Sequence, residues 1–185
     1  ELPSPLRLGL SLGASVSVDG VCQTVAGLEG ELVYFDAHAE TLRVTTLSEL
    51  REGSLVHIER SSKAGDENGG HLVSGHVDTT LELVEVVASP DNHVLVLRVP
   101  AAFAKYIFNK GFVAVHGASL TVTAFDADAG TFRVYLIPET LRLTTFGQKR
   151  PGDRLNLEID RQTQVLVDTL ERTLRAVLPQ LAKGS

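Results

Sequence analysis

Two periodicities divide the chain. Over most of its length apolar residues alternate with polar ones or gather in short β-branched runs. Leu55-Val56-His57-Ile58-Glu59-Arg60 and Arg154-Leu155-Asn156-Leu157-Glu158-Ile159 have the period of two that predicts half-buried strands. Ser15-Val16-Ser17-Val18 and Phe112-Val113-Ala114-Val115 are short strands closed by turns at Asp19-Gly20 and His116-Gly117. Leu32-Val33-Tyr34-Phe35 and Thr131-Phe132-Arg133-Val134-Tyr135-Leu136 follow Gly-bearing turns, and a further strand is predicted at Gly75-His76-Val77-Asp78-Thr79-Thr80. Pro100 to Tyr106 reads as a short helix with Pro in its first turn. Beyond Asp160 the period changes: Val167, Leu170, Leu174, Val177, Leu178 and Leu181 recur at three and four, an amphipathic helix from about Gln162 to Leu181 that Asp160 is placed to cap. Its apolar stripe needs a surface, either across the rest of the chain or on another subunit.

The strands belong to a duplication. Gly13 to Val25 answers to Lys110 to Val122 at an offset of 97, pairing Gly20 with Gly117, Cys22 with Ser119 and Thr24 with Thr121. Glu40-Thr41-Leu42-Arg43 answers to Glu139-Thr140-Leu141-Arg142 at an offset of 99, as does Val56-His57-Ile58-Glu59 to Leu155-Asn156-Leu157-Glu158. About six short strands in each unit suit a small closed barrel, which removes exposed edges. The strand at Gly75, moved back by 97, falls ahead of Glu1. The sequence, which has no Met, therefore reads as a fragment whose first unit wants its N-terminal strand.

Composition narrows the function classes. A net charge of −6 and 5% aromatic residues argue against a nucleic-acid or oligosaccharide-binding barrel. No apolar run spans a membrane and no signal peptide is visible, so a cytoplasmic protein is expected. Cys22, the single cysteine, rules out internal disulfides and fits a reducing compartment. His71 and His76 are badly spaced for shared metal ligation, since five positions fall on opposite strand faces, and no metal is expected. There is no Gly-x-Ser-x-Gly elbow, phosphate loop or dinucleotide fingerprint. The repeat points elsewhere. Cys22 and Ser119 place a small polar or nucleophilic side chain at one position of each unit, and Thr24 and Thr121 follow on the same strand face. Two such pairs could bind two similar molecules, and His76 is a candidate proton carrier.

Asp19-Gly20-Val21-Cys22-Gln23-Thr24-Val25, Gly70-His71-Leu72-Val73-Ser74-Gly75-His76-Val77, Gly117-Ala118-Ser119-Leu120-Thr121-Val122 and Ile137-Pro138-Glu139-Thr140-Leu141 together resemble the riboflavin synthase family over nearly the whole chain. The resemblance implies an all-β fold of two similar six-stranded antiparallel Greek-key β-barrels and a C-terminal α-helix. The units would be 1–71, 72–159 and the helical segment 160–185, with the helix assembling a homotrimer. It implies a dismutation of two 6,7-dimethyl-8-ribityllumazine molecules by four-carbon transfer, with no metal or redox cofactor. It implies catalytic roles for Ser15, Cys22, His76, Ser119, Thr121 and Asp160. Substrate contacts would come from Thr24, Asp36, His38, Thr41 and Val77, and from Lys110, Leu136, Ile137 and Thr140. Lumazine synthase is a further partner the resemblance raises. Gln23, His116 and Asn68 depart from the usual family residues beside these motifs. The alternative within the same fold is a lumazine- or flavin-carrying fluorescent protein that binds without converting.

Overall fold

A computed structural model describes residues 2–89 and 92–181. Unit two is a closed barrel in the order β10-β5-β6-β9-β8-β7. Its strands are β5 (Thr79–Ser89), β6 (Asn92–Arg98), β7 (Phe112–Val115), β8 (Ala118–Asp126), β9 (Thr131–Leu136) and β10 (Arg154–Ile159), all paired antiparallel. The pairing of β6 with β9, outside the β7-β8-β9 meander, makes it a Greek key. One face of each strand fills the barrel: Leu81, Leu83, Leu95, Leu97, Val113, Val115, Leu120, Val122, Phe132, Val134, Leu155 and Leu157 form one buried cluster.

Unit one repeats the last four strands of this plan as β1 (Ser15–Val18), β2 (Val21–Glu29), β3 (Leu32–Phe35) and β4 (Ile58–Arg60). They form an open sheet in the order β3-β2-β1-β4. The helical turn α1 (Ser4–Arg7) lies 97 residues before the 3₁₀ turn Ala101–Tyr106, and the buried Leu2 answers to Val99 in the same way. Counterparts of both β5 and β6 are therefore wanting from unit one among the described residues, where the repeat predicts the lack of a single strand. The all-β architecture with its terminal helix stands as the sequence predicts.

Details differ. Leu55 and Val56 precede β4 rather than joining it, and Gly75 to Asp78 form a loop, with β5 starting only at Thr79. The segment 100–106 is 3₁₀ rather than α. Two short helices, α2 (Ala39–Val44) and α3 (Pro138–Leu143), follow β3 and β9 at matched places in the repeat.

The final helix, α4, runs Arg161–Leu181 and is capped as the sequence predicts: Asp160 Oδ2 accepts from the Thr163 N–H at 3.0 Å and its hydroxyl at 2.7 Å. Tyr106 donates to Asp168 at 2.6 Å, Lys105 reaches Asp168 and Glu171, and Val167 packs on the barrel core. Leu166, Leu170, Leu174, Val177 and Leu178 stay exposed, so the stripe does not pack across the two units. The side chain of Leu181 and residues 182–185 lie outside the described residues.

The two units meet hairpin to hairpin. A Cβ on Gly20, at φ +80°, would sit 2.3 Å from the Gly117 nitrogen, so the two β-turns touch backbone to backbone. Around this point the repeat exchanges hydrogen bonds with itself. His57 Nδ1 bonds the His116 carbonyl at 3.0 Å, and its Nε2 accepts from the Thr145 N–H at 2.9 Å. Asn156, its counterpart, donates from Nδ2 to the Asp19 carbonyl and accepts at Oδ1 from the Thr46 N–H, both at 2.8 Å. An amide thus does the work of an imidazole, because both offer one donor and one acceptor at similar reach. Accepting from Thr145 leaves the His57 proton on Nδ1.

Candidate active site

Strand alternation puts the paired polar residues on the outer face of the unit-one sheet and outside the unit-two barrel. On β2, Val21, Gln23 and Val25 are buried while Cys22 and Thr24 face outward; on β8, Leu120 and Val122 enter the core while Ser119 and Thr121 face outward. Ser15 lies directly across from Thr24, and Ser17 across from Cys22. The same outward face is thus presented twice, once per unit.

Two cavities open on these faces. One, of about 630 Å³, lies between the units and is lined by Ser15, Cys22, Glu59, His71 and Ser119, among others. Here the Ser119 hydroxyl accepts from the His71 N–H at 3.1 Å and lies 2.7 Å from His71 Nδ1. The His71 ring stacks on Phe112, and burial lowers its imidazole pKa against the opposing charges of Asp160 and Glu158. The second cavity, of about 390 Å³, brings Cys22 together with Thr41, His76 and Val77, beside Glu40 and Asp78. Four residues that the sequence nominates separately, from β2, α2 and the inter-unit loop, therefore converge.

Other nominated residues lie apart. Asp36 and His38 are exposed between β3 and α2, and His38 makes no side-chain cap bond. Lys110 is exposed at φ +65° in the turn before β7. Ile137 is exposed at the start of α3, and Thr140 is half-buried within it. Leu136 is 5% exposed and packs in the barrel core with Phe132 and Val134, as its place in the alternation requires, so its side chain faces away from the outer surface and only its backbone is left for a substrate contact. Asp160 is a helix cap; partial burial works against its charge, but the Thr163 hydrogen bonds hold its carboxyl below the ordinary range.

Sequence reasoning passes over one conspicuous group. Glu158 is 3% exposed and grips the loop ahead of His76. The signal was present as the identity of Glu59 and Glu158 across the repeat, but a Glu in an alternating strand reads as solvent-facing.

The repeat is also a family repeat: residues 3–61 and 74–160 each match the family model described as the lumazine binding domain. The chain is 47% identical over 177 residues to riboflavin synthase of Escherichia coli (strain K12), covering 95% of this chain and 82% of that protein. The chain belongs to the riboflavin synthase family. It is likewise 46% identical over 165 residues to riboflavin synthase of Chlamydia pneumoniae, covering 89% of this chain and 80% of that one. Among solved structures, LumP complexed with riboflavin superposes with a TM-score of 0.77 at 21% identity, covering 85% of this chain and 84% of that chain. LumP complexed with 6,7-dimethyl-8-(1'-D-ribityl) lumazine gives 0.75 at 20%. At such identities the likeness to LumP is one of fold. As a riboflavin synthase the chain is an enzyme, and its two outward faces are where a paired substrate site is sought.

Proposed function

We propose that the chain converts two molecules of 6,7-dimethyl-8-ribityllumazine into riboflavin and 5-amino-6-ribitylaminouracil. One molecule gives up a four-carbon unit and the other accepts it, so donor and acceptor are the same compound and no external oxidant or reductant enters the balance. The C7 methyl of the lumazine is acidic because its carbanion delocalises into an electron-poor ring. The acceptor is activated by nucleophilic addition at its own C7. The protein must therefore hold two rings face to face, stabilise an anion and move protons.

The observation that carries this reading is the duplicated outward face, Cys22 with Thr24 and Ser119 with Thr121. In the proposed site one ring lies on the unit-one face with Ser15, Asp36, His38 and Thr41, and the other on the unit-two face with Lys110, Ile137 and Thr140. Cys22, Ser119 and Thr121 supply hydrogen bonds and the route for the added nucleophile. His76, beside Val77 in the smaller cavity, moves protons. Asp160 acts at most through the His71–Ser119 pair that its charge faces.

A face of one subunit opposed to the other face of a neighbour would close this site, and the exposed stripe on α4 suits a homotrimer that does so. Residence in a reducing cytoplasm, with its one free thiol intact, and association with lumazine synthase belong to the same reading. The competing reading, a carrier that binds lumazine or flavin without converting it, draws on the fold shared with LumP. It is disfavoured by the presence of Cys22, His76, Ser119 and Thr121 together.

Anaerobic incubation with 6,7-dimethyl-8-ribityllumazine, followed by absorbance, separates the two. Two lumazines consumed for each riboflavin formed establishes the dismutation. Saturable binding with no riboflavin establishes the carrier.

A further inference from the structure

Strand β10 buries both of its faces. Leu155, Leu157 and Ile159 fill the barrel, while Asn156 and Glu158, alternating with them, are 1% and 3% exposed on the opposite side. A carboxylate so far from water needs donors, and Glu158 has three. Its Oε1 accepts from the Ser74 N–H at 2.8 Å and the Ser74 hydroxyl at 2.7 Å, and its Oε2 from the Gly75 N–H at 2.8 Å.

The dipeptide it grips is held from the other side by unit one. The Gly75 carbonyl accepts from the Cys22 N–H at 2.8 Å. Gly75 sits at φ +79°, and a Cβ there would come within 2.7 Å of the Cys22 Cβ, so no other residue permits this approach. The next residue is His76, whose carbonyl accepts from Arg161 Nη2 at 2.6 Å, while Arg161 Nη1 pairs with Asp78 at 2.9 Å. The junction of β10 and α4 therefore fixes the loop on which His76 faces Cys22 and Thr41 across the 390 Å³ cavity. The carboxyl of Glu59, the counterpart of Glu158, is pushed up by burial alone, and the repeat places the counterpart of the Ser74-Gly75 dipeptide ahead of Glu1.

We propose that Glu158 is a positioning residue of the riboflavin synthase reaction: by holding Ser74 and Gly75 it sets Cys22 and His76 in one geometry before substrate binds. This rests on the reading of Cys22 and His76 as site residues. Glu158 touches no substrate; it acts through the loop.

The test is a series of Glu158→Gln, Glu158→Asp and Ser74→Ala in the full chain. Glutamine turns an amide donor toward donors of the loop. We expect kcat to fall on the order of 10²-fold, the scale of a small misplacement of reacting groups. The lumazine dissociation constant should change much less than kcat, by about threefold, since Glu158 itself touches neither ring-binding face. Glu158→Asp keeps both oxygens and should recover part of kcat, and Ser74→Ala, losing one of three bonds, should be the mildest. Independently of turnover, hydrogen exchange at the Cys22 amide should accelerate by about tenfold in Glu158→Gln as the loop detaches. Unchanged Cys22 exchange would overturn the proposal. So would a kcat within about twofold of the parent, or a loss that merely follows the melting temperature across the series. His76→Ala separates the two readings. If it leaves kcat intact while Glu158→Gln lowers it, the role given to His76 fails and the clamp on Cys22 stands.

Discussion

In unit two, β5 joins β10 to β6 and β6 joins β5 to β9, and the sheet closes. In unit one the counterparts of β10 and β9, β4 and β3, are the two ends of a four-stranded sheet. Yet the hairpin bearing Cys22 and Thr24 has the same register as the one bearing Ser119 and Thr121, down to the two-residue turn. The polar face is thus written into the local hairpin, while closure depends on strands that supply Leu81, Leu83, Leu95 and Leu97 from elsewhere in the chain.

Breaking the closed core should produce the largest effect. Leu97→Ala, fully buried between β5 and β9, should cost about 2–5 kcal/mol of stability. Val16→Ala, at a site 1% exposed on the open sheet, should cost about 1–2 kcal/mol, because fewer carbon atoms are removed. Chemical denaturation of both variants measures the difference, and a Val16→Ala cost equal to or above that of Leu97→Ala would contradict the expected order.

The exchange between units comes next. His57→Leu removes one donor and one acceptor and leaves the His116 carbonyl and the Thr145 N–H unpaired, at about 1–3 kcal/mol. His57→Asn installs the residue that unit two uses and should cost less than about 0.5 kcal/mol if the amide spans the same two groups. A large loss in both would show that the imidazole also matters for its edge-on contact with the Phe146 ring.

A pH effect follows from the asymmetry between Asp19 and His116. Burial, helped by the charges of Lys149 and His57, pushes the His116 imidazole down to about 3. Between an unfolded value near 6.5 and that folded value, the unfolded chain takes up a proton that the folded chain declines. Stability should therefore fall as pH drops through this window, by at most about 1.4 kcal/mol per pH unit for one proton. The lowered imidazole of His57 steepens the upper part. Asp19, whose carboxyl burial raises, acts oppositely near its own acid range. Denaturation in buffers from neutral to acid pH should show a shallower slope in His116→Asn. An unaltered slope would assign the effect to His57.

The smallest effect is expected at the paired surface bridges Glu40–Arg43 and Glu139–Arg142, which occupy equivalent turns of α2 and α3 and are exposed. Arg43→Ala and Arg142→Ala should leave the melting temperature unchanged within error.

Much of this was legible in the chain. The duplication, the turns at Asp19-Gly20 and His116-Gly117 and the terminal helix follow from local pattern, and the offset of 97 alone pairs Cys22 with Ser119. What depends on distant partners was not. Alternation in β4 and β10 marks His57, Asn156 and Glu158 as outward-facing, which is correct, but their outward side meets the other unit or the loop between units rather than water. Closure by β6 was hidden because a buried apolar run carries no period. The inward direction of the Leu136 side chain was legible in the alternation Phe132, Val134, Leu136.

The proposed function requires each unit to offer one lumazine-sized face built on the same pair of positions. Equilibrium binding of 6,7-dimethyl-8-ribityllumazine to the chain and to Thr24→Val and Thr121→Val tests it most directly. Two ligands per chain are expected, with one lost in each variant and both lost in the double. A single ligand per chain, indifferent to one of the two substitutions, would contradict it.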